Sequence, residues 1–242
     1  MIKIENFEVL GWEHAIRGMR NPMKSWEKSD SVFIDEDGDW YTITGDSGLF
    51  KNVDEFSTDG QQVYIGPNDL DLMKNLRNAG TDHRKFMRMI TVYLDITAPL
   101  YFWKEFDTYK VGTVANSCST MHKIAAKEFT LNDFSHEHLF HNGNDTEMWL
   151  DIDFLKVLDN TIFYLNKARE LYLKTHDKKY WWQMIQLLPS SYNQKRTVML
   201  NYEVLANIYP MRKNHKLDEW RDFCDWIETL PYSELITGEE YE

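Results

Sequence analysis

Several short stretches of the chain carry residue types that could do chemistry. His136-x-His138-x-x-His141 sets three imidazoles in one segment, and a zinc site needs three or four such ligands. The spacing matches no standard zinc pattern, and His136 and His138 would diverge on a strand, so solvated loop histidines and no metal are expected. Cys118 lies in Ala115-Asn116-Ser117-Cys118-Ser119-Thr120, with His122 four residues on. A nearby imidazolium can lower a thiol pKa and make it a nucleophile, although a structural thiol fits the same spacing. Cys224 sits between Phe223 and Trp226 on an apolar helix face and reads as core. Arg212-Lys213-Asn214-His215-Lys216 is either a solvated helix connection or a presentation of Arg212 to an oxyanion, which a guanidinium grips with two bonds. Trp181-Trp182 reads as packing. The acidic run Asp35-Glu36-Asp37-Gly38-Asp39 lacks the spacing and final Glu of a calcium loop and reads as a turn.

The elements that must position these groups follow from periodicity. Residues 2–10 alternate as a strand with a slip in the middle, and residues 16–22 read as a basic, turn-rich loop. Residues 31–34 and 40–44 form a hairpin around the acidic turn. A helix starts at Gly66-Pro67-Asn68-Asp69 with Asn68 as its cap, carries the stripe Leu70, Met73, Leu76 and Ala79, and stops at Gly80. Residues 86–96 alternate with Ile90, Val92, Leu94 and Ile96 on one face, and Pro99 opens an aromatic helix over 100–106. Residues 108–121 read as an ordered polar loop and 129–145 as a loop rich in His, Asn and Asp. A long amphipathic helix spans 151–175, with Leu150, Phe154, Leu158, Ile162, Leu165 and Tyr172 as its stripe. Helices over 178–188, 201–211 and 217–229 and a strand over 197–200 complete the chain. No repeat or linker divides it. The expected fold is therefore α+β, one domain over residues 1–242 with a β-rich N-terminal part over residues 1–65.

The net charge of the 242-residue chain is −12, which argues against a nucleic-acid coat but leaves room for a local basic pocket. Apolar residues make up 43%, enough for a core. Two cysteines are too few for a disulfide framework. No stretch reaches the roughly 20 apolar residues of a membrane helix, and no signal region opens the chain, so a cytoplasmic protein with no membrane partner is expected.

Ala98-Pro99-Leu100-Tyr101-Phe102-Trp103-Lys104-Glu105-Phe106 resembles the helix before the signature of flavin-dependent thymidylate synthases. That signature is Arg-His-Arg, two residues, Ser, four residues, Ser, one residue, Arg. It falls here on Thr108-Tyr109-Lys110, Thr113, Cys118 and Thr120. Further on, Leu188-Pro189 matches the family's Leu-Pro, Asn201 and Asn207 fall on flavin-contacting asparagines, and Arg212 falls on an arginine that binds the substrate nucleotide. His215 lies one position before the family's histidine, which Lys216 replaces. Gly80-Thr81-Asp82-His83 resembles the family's Gly-His-Glu segment with an insertion. The resemblance runs from about residue 68 to 231.

The resemblance implies a sheet flanked by long helices and a homotetramer with sites between subunits. It implies reductive methylation of deoxyuridine monophosphate, with FAD as cofactor and NADPH and methylenetetrahydrofolate as co-substrates. Lys110, Thr113, Asn201 and Asn207 would bind the flavin, Cys118 and Arg212 the nucleotide, and the catalytic residue is unassigned. Only Lys110 keeps a charge among the signature's three arginine positions. Each lost charge-assisted bond is worth roughly 1.5–3 kcal/mol, so two losses weaken a phosphate site a hundredfold or more. Lys104, Lys123, Arg17 and Arg20 are the candidates to compensate. The alternative is a catalytically inactive nucleotide-binding protein on the same fold.

Overall fold

A computed structural model describes residues 2–35, 37–45, 63–140 and 153–238. The chain is α+β. Its main sheet has four antiparallel strands in the order β1 (Lys3–Leu10), β5 (Thr91–Pro99), β7 (Asn193–Asn201) and β6 (Val114–Ser117). A smaller sheet pairs β2 (Val32–Ile34) with β3 (Trp40–Tyr41) on one side and β4 (Val63–Tyr64) on the other. The slip expected in the first strand is a register shift between Glu5 and Glu8, where Asn6 takes a positive φ of 51°.

β5 is central, and its alternation decides which face carries the core. Val92, Leu94, Ile96 and Ala98 are buried together with Val198 and Leu200 of β7, while Tyr93 on the other face is exposed. Against the apolar face pack α1 (Trp12–Arg20), α3 (Leu100–Phe106), α7 (Tyr202–Arg212) and α8 (Asp218–Glu228), all within one core cluster. A second cluster joins Phe129 and Phe134 to Leu158 and Leu165 of α5 (Phe154–Thr175) and Met184 of α6 (Lys178–Leu187). The remaining helices are α2 (Pro67–Asn78), α4 (Thr120–Lys123) and α9 (Glu234–Thr237). Among the described residues no helix is long and apolar enough to cross a membrane.

Four local expectations need correction. Residues 16–20 belong to α1, not a loop: Trp12, Ala15, Ile16 and Met19 recur at helical spacing and are buried, a stripe masked by the polar residues between them. The helix enters over Gly11, whose φ is +92° and where a Cβ would sit 2.1 Å from the Met89 carbonyl oxygen, so only glycine fits. Asn68 does not cap α2. The Asp30 carboxylate does, accepting from the Asn68 and Asp69 amides at 2.9 and 3.0 Å. The polar loop over 108–121 contains the edge strand β6 and the start of α4, because β7 runs nine residues and leaves backbone groups for β6 to meet. The stripe of α5 begins at Leu158, since Phe154 is 47% exposed; Leu150 and His141 lie outside the described residues.

Candidate functional site

α3 follows β5 directly and projects its charged residues from a turn of aromatics. Phe102, Trp103 and Phe106 are buried among Trp220 and Phe223 of α8, leaving Glu105 at the rim of that packing. Arg212, at the last position of α7, reaches the same place. Its Nη1 donates to Glu105 Oε2 at 2.6 Å, its Nε donates to the Tyr109 hydroxyl at 2.8 Å, and its guanidinium lies 4.4 Å from the Trp220 ring centroid. The Trp220 indole N–H also donates to Glu105 Oε2 at 2.9 Å, and His215 Nε2 lies 3.5 Å from the same oxygen. Among the described residues, nothing bonds to the other carboxylate oxygen, Oε1. Arg212, expected from the resemblance to meet the nucleotide, here holds a carboxylate. Glu105, Tyr109 and Trp220 were missed as its partners. A lone carboxylate inside an aromatic helix, four residues before Tyr109, was the available signal.

The four positions read as flavin contacts gather around the start of α7 only in part. Asn201 caps the helix, its Oδ1 accepting from the Val204 amide at 3.0 Å. Gly112, at φ +79°, packs so closely that a Cβ there would lie 3.0 Å from Asn201 Nδ2. That contact brings the Lys110–Thr113 turn, closed by the Thr113 amide to the Lys110 carbonyl at 3.4 Å, against the α7 N-terminus. The Thr113 hydroxyl oxygen is buried there without a partner, and the exposed Lys110 ammonium has none among the described residues. Asn207 stands apart: its Oδ1 accepts from Arg84 Nη2 at 2.7 Å, and Arg84 Nε is buried without a hydrogen bond, 3.6 Å from Glu203.

Cys118 is exposed, while Cys224 is buried, its thiol pushed up to about 12 by desolvation. The backbone of Cys118 continues the β6–β7 pairing, its amide donating to the Lys195 carbonyl at 2.9 Å. Gln194 Nε2 donates to the Cys118 carbonyl and to the Thr120 hydroxyl, each at 3.1 Å. Gln194 is held in turn by Arg196, whose Nε donates to Oε1 at 3.0 Å and whose guanidinium sits 4.2 Å from the Trp103 centroid. Cys118, Ser119, Thr120 and Lys123 line a cavity of about 390 Å³ with Asn193 and Lys195.

The compensating cations also sort themselves. Arg20 is buried on Asp69, and Arg17 pairs with Glu13 at 3.2 Å. Lys104 is exposed on α3, and Lys123 lines the cavity with two signature positions. The histidines of the metal motif go separate ways: His136 Nδ1 lies 2.8 Å from the Phe134 carbonyl and His138 Nε2 lies 2.8 Å from Asp218.

No family model and no curated protein matches this sequence. Solved structures do match in shape. Thymidylate synthase X of Helicobacter pylori, determined with FAD and dUMP, superposes with a TM-score of 0.62 at 15% identity, covering 98% of each chain. The UMP/dUMP methylase PolB of Streptomyces cacaoi, bound with 5-Br dUMP, gives a TM-score of 0.55 at 12% identity over 98% of this chain and 95% of that one. The fold is that of the flavin-dependent thymidylate synthases.

Proposed function

We propose that this chain is a diverged nucleotide-directed methylation enzyme, using a flavin to methylate deoxyuridine monophosphate or a related pyrimidine nucleotide. The observation that carries the reading is end-to-end agreement in fold with an FAD- and dUMP-bound enzyme, covering 98% of both chains. Fold alone does not fix activity, so the site must bear it. The residues present fit a flavin: the orphaned Thr113 hydroxyl is buried beside Asn201 and the Lys110 ammonium is open. Asn201 and Asn207 have their carbonyl oxygens engaged internally, which leaves their amide N–H groups to donate. When bound, FAD would supply the hydride, with NADPH as its reductant and methylenetetrahydrofolate as the carbon source. The visible absorption spectrum of gently purified protein, followed by titration with FAD, tests this; no flavin binding at saturation removes the reading.

One observation favours a second reading, an inactive nucleotide-binding protein on the same fold. Glu105 holds Arg212, the cation that would otherwise meet the nucleotide, at 2.6 Å. This reading expects a dUMP-induced rise in melting temperature without turnover, since a ligand at a hundred times its Kd stabilises by about 2.7 kcal/mol.

The same proposal includes a cytoplasmic homotetramer. Its support is an apolar row on α5, where Val157, Tyr164 and Leu171 recur every seven residues and are 60, 62 and 41% exposed. Such a row on one helix is an interface candidate. Sedimentation of Tyr164→Asp should show dissociated species with the melting profile of the fold retained; a wild-type monomer overturns the assembly.

A further inference from the structure

We propose that the cavity between β1 and the small sheet binds a small organic cation, an ammonium group on an apolar, aromatic body. The cavity has a volume of about 710 Å³, the size of a small-molecule site. It shares no residue with the positions read as flavin or nucleotide contacts, so the inference stands apart from the function proposed above.

The walls come from separate parts of the fold. β1 is an edge strand of the main sheet, and residues 7–10 form one wall before the chain turns at Gly11 into α1. The small sheet supplies another through Phe33, Ile34, Tyr41 and Val63, and Thr229 and Pro231, beyond α8, complete the lining. Four aromatic rings thus face one space, those of Phe7, Trp12, Phe33 and Tyr41. Phe7 and Leu10 stay exposed in that lining, apolar surface that a ligand would cover. Aromatic faces accept an apolar body and also attract a cation.

Charge selects the ligand further. Among the described residues, Glu8 and Glu13 line the cavity and no lysine or arginine does. Glu13 is already balanced. It accepts from Arg17 Nη1 and from the Tyr41 hydroxyl, each at 3.2 Å. It also lies in the first turn of α1, where it offsets the positive end of the helix. Burial first, and then the Glu13 charge, push the Tyr41 hydroxyl above its usual range, so it remains the donor in that bond. Glu8 is different: it is exposed, and its carboxylate has no partner among the described residues. One open carboxylate beside four rings is the complement of one ammonium on an apolar body. An anion would be repelled by Glu8, and a neutral ligand would gain nothing from it.

Calorimetric titration of the full-length protein with 2-phenylethylamine tests the site. It is run at pH 8, above the ordinary imidazole range and below that of an alkylamine. Saturable one-to-one binding is expected, roughly tenfold weaker for 2-phenylethanol and absent for 3-phenylpropionate. Glu8→Gln should weaken 2-phenylethylamine roughly tenfold and leave 2-phenylethanol unchanged. Leu10→Trp, which fills the cavity with a larger side chain, should remove both. Glu8 and Leu10 are exposed, so both variants keep the fold. No saturable binding, equal affinity for the amine and the alcohol, or an amine affinity that Glu8→Gln leaves unchanged overturns the site. FAD titration is read separately, so either proposal can fail while the other stands.

Discussion

Two arginine–carboxylate pairs in this molecule look alike in a distance table and differ in everything else. Arg20 and Asp69 meet at 2.6 Å, as do Arg212 and Glu105. Around the first pair every polar atom has somewhere to go. Arg20 donates onward to the Ser25 and Lys28 carbonyls, while Asp69 Oδ2 accepts from the Ser29 and Ser31 hydroxyls and from the Asp30 and Ser31 amides. Side-chain exposures are 4 and 0%. Around the second pair the partners are aromatic rings and a tyrosine hydroxyl, one carboxylate oxygen has no donor among the described residues, and the exposures are 16 and 36%. A buried pair stripped of one member leaves a charge with no water to receive it, whereas a half-open pair can exchange its partner for a ligand. The first pair is a clamp between α1 and α2; the second is the candidate site.

The largest effect should come from breaking the clamp. Asp69→Ala strands Arg20 and should cost about 3–5 kcal/mol in urea unfolding. A loss under about 1 kcal/mol would show that water reaches Arg20, and the contrast with Arg212 would collapse.

The next effect belongs to the open pair and is one of binding. Arg212→Ala should abolish the calorimetric signal for dUMP, while Glu105→Gln, which removes a negative charge but keeps the shape, should tighten dUMP roughly tenfold. Because Glu105 is more than one-third exposed, unfolding free energy should change by no more than about 1 kcal/mol in Glu105→Gln. Weaker binding in that variant would mean that Glu105 recognises the ligand directly rather than competing with it.

The contrast also marks what could be read without coordinates. The central strand and the helices packed on it were legible because β5 alternates cleanly and α3, α7 and α8 carry apolar stripes, whereas β6 and the start of α4 read as a polar loop. Arg212 was legible as a candidate site residue because the resemblance gave it a position. Its partner was not, since Glu105 and Arg212 are 107 residues apart and become neighbours only when α3 and α7 pack on one face of the sheet. The clamp was equally hidden: Arg20 looked like a free cation in a loop, and only the burial of α1 turned it inward. Asn201 and Asn207 read alike in sequence, yet one caps a helix and the other receives Arg84, because a helix start and a helix body offer different backbone neighbours.

A third carboxylate, on the open face of the sheet, extends the comparison to its weakest limit. Asp95 accepts from the Thr197 hydroxyl at 2.6 Å, from Asn6 Nδ2 at 3.0 Å and from Lys195 at 3.0 Å. Those bonds, with the Thr197 hydroxyl foremost, hold its carboxyl at about 2, below its usual 3.8. A depressed carboxylate contributes stability above its unfolded pKa and loses it as pH falls through the folded one. The gap in melting temperature between wild type and Asp95→Asn should therefore be constant from pH 7 to about 5 and close between about 4 and 2. Added salt should narrow it, since the Lys195 contribution is screened at this surface. A gap that persists at pH 2 would mean that the Asn6 and Thr197 bonds act through shape rather than charge. Asp95 would then belong with the clamp, and exposure would no longer be what separates the three.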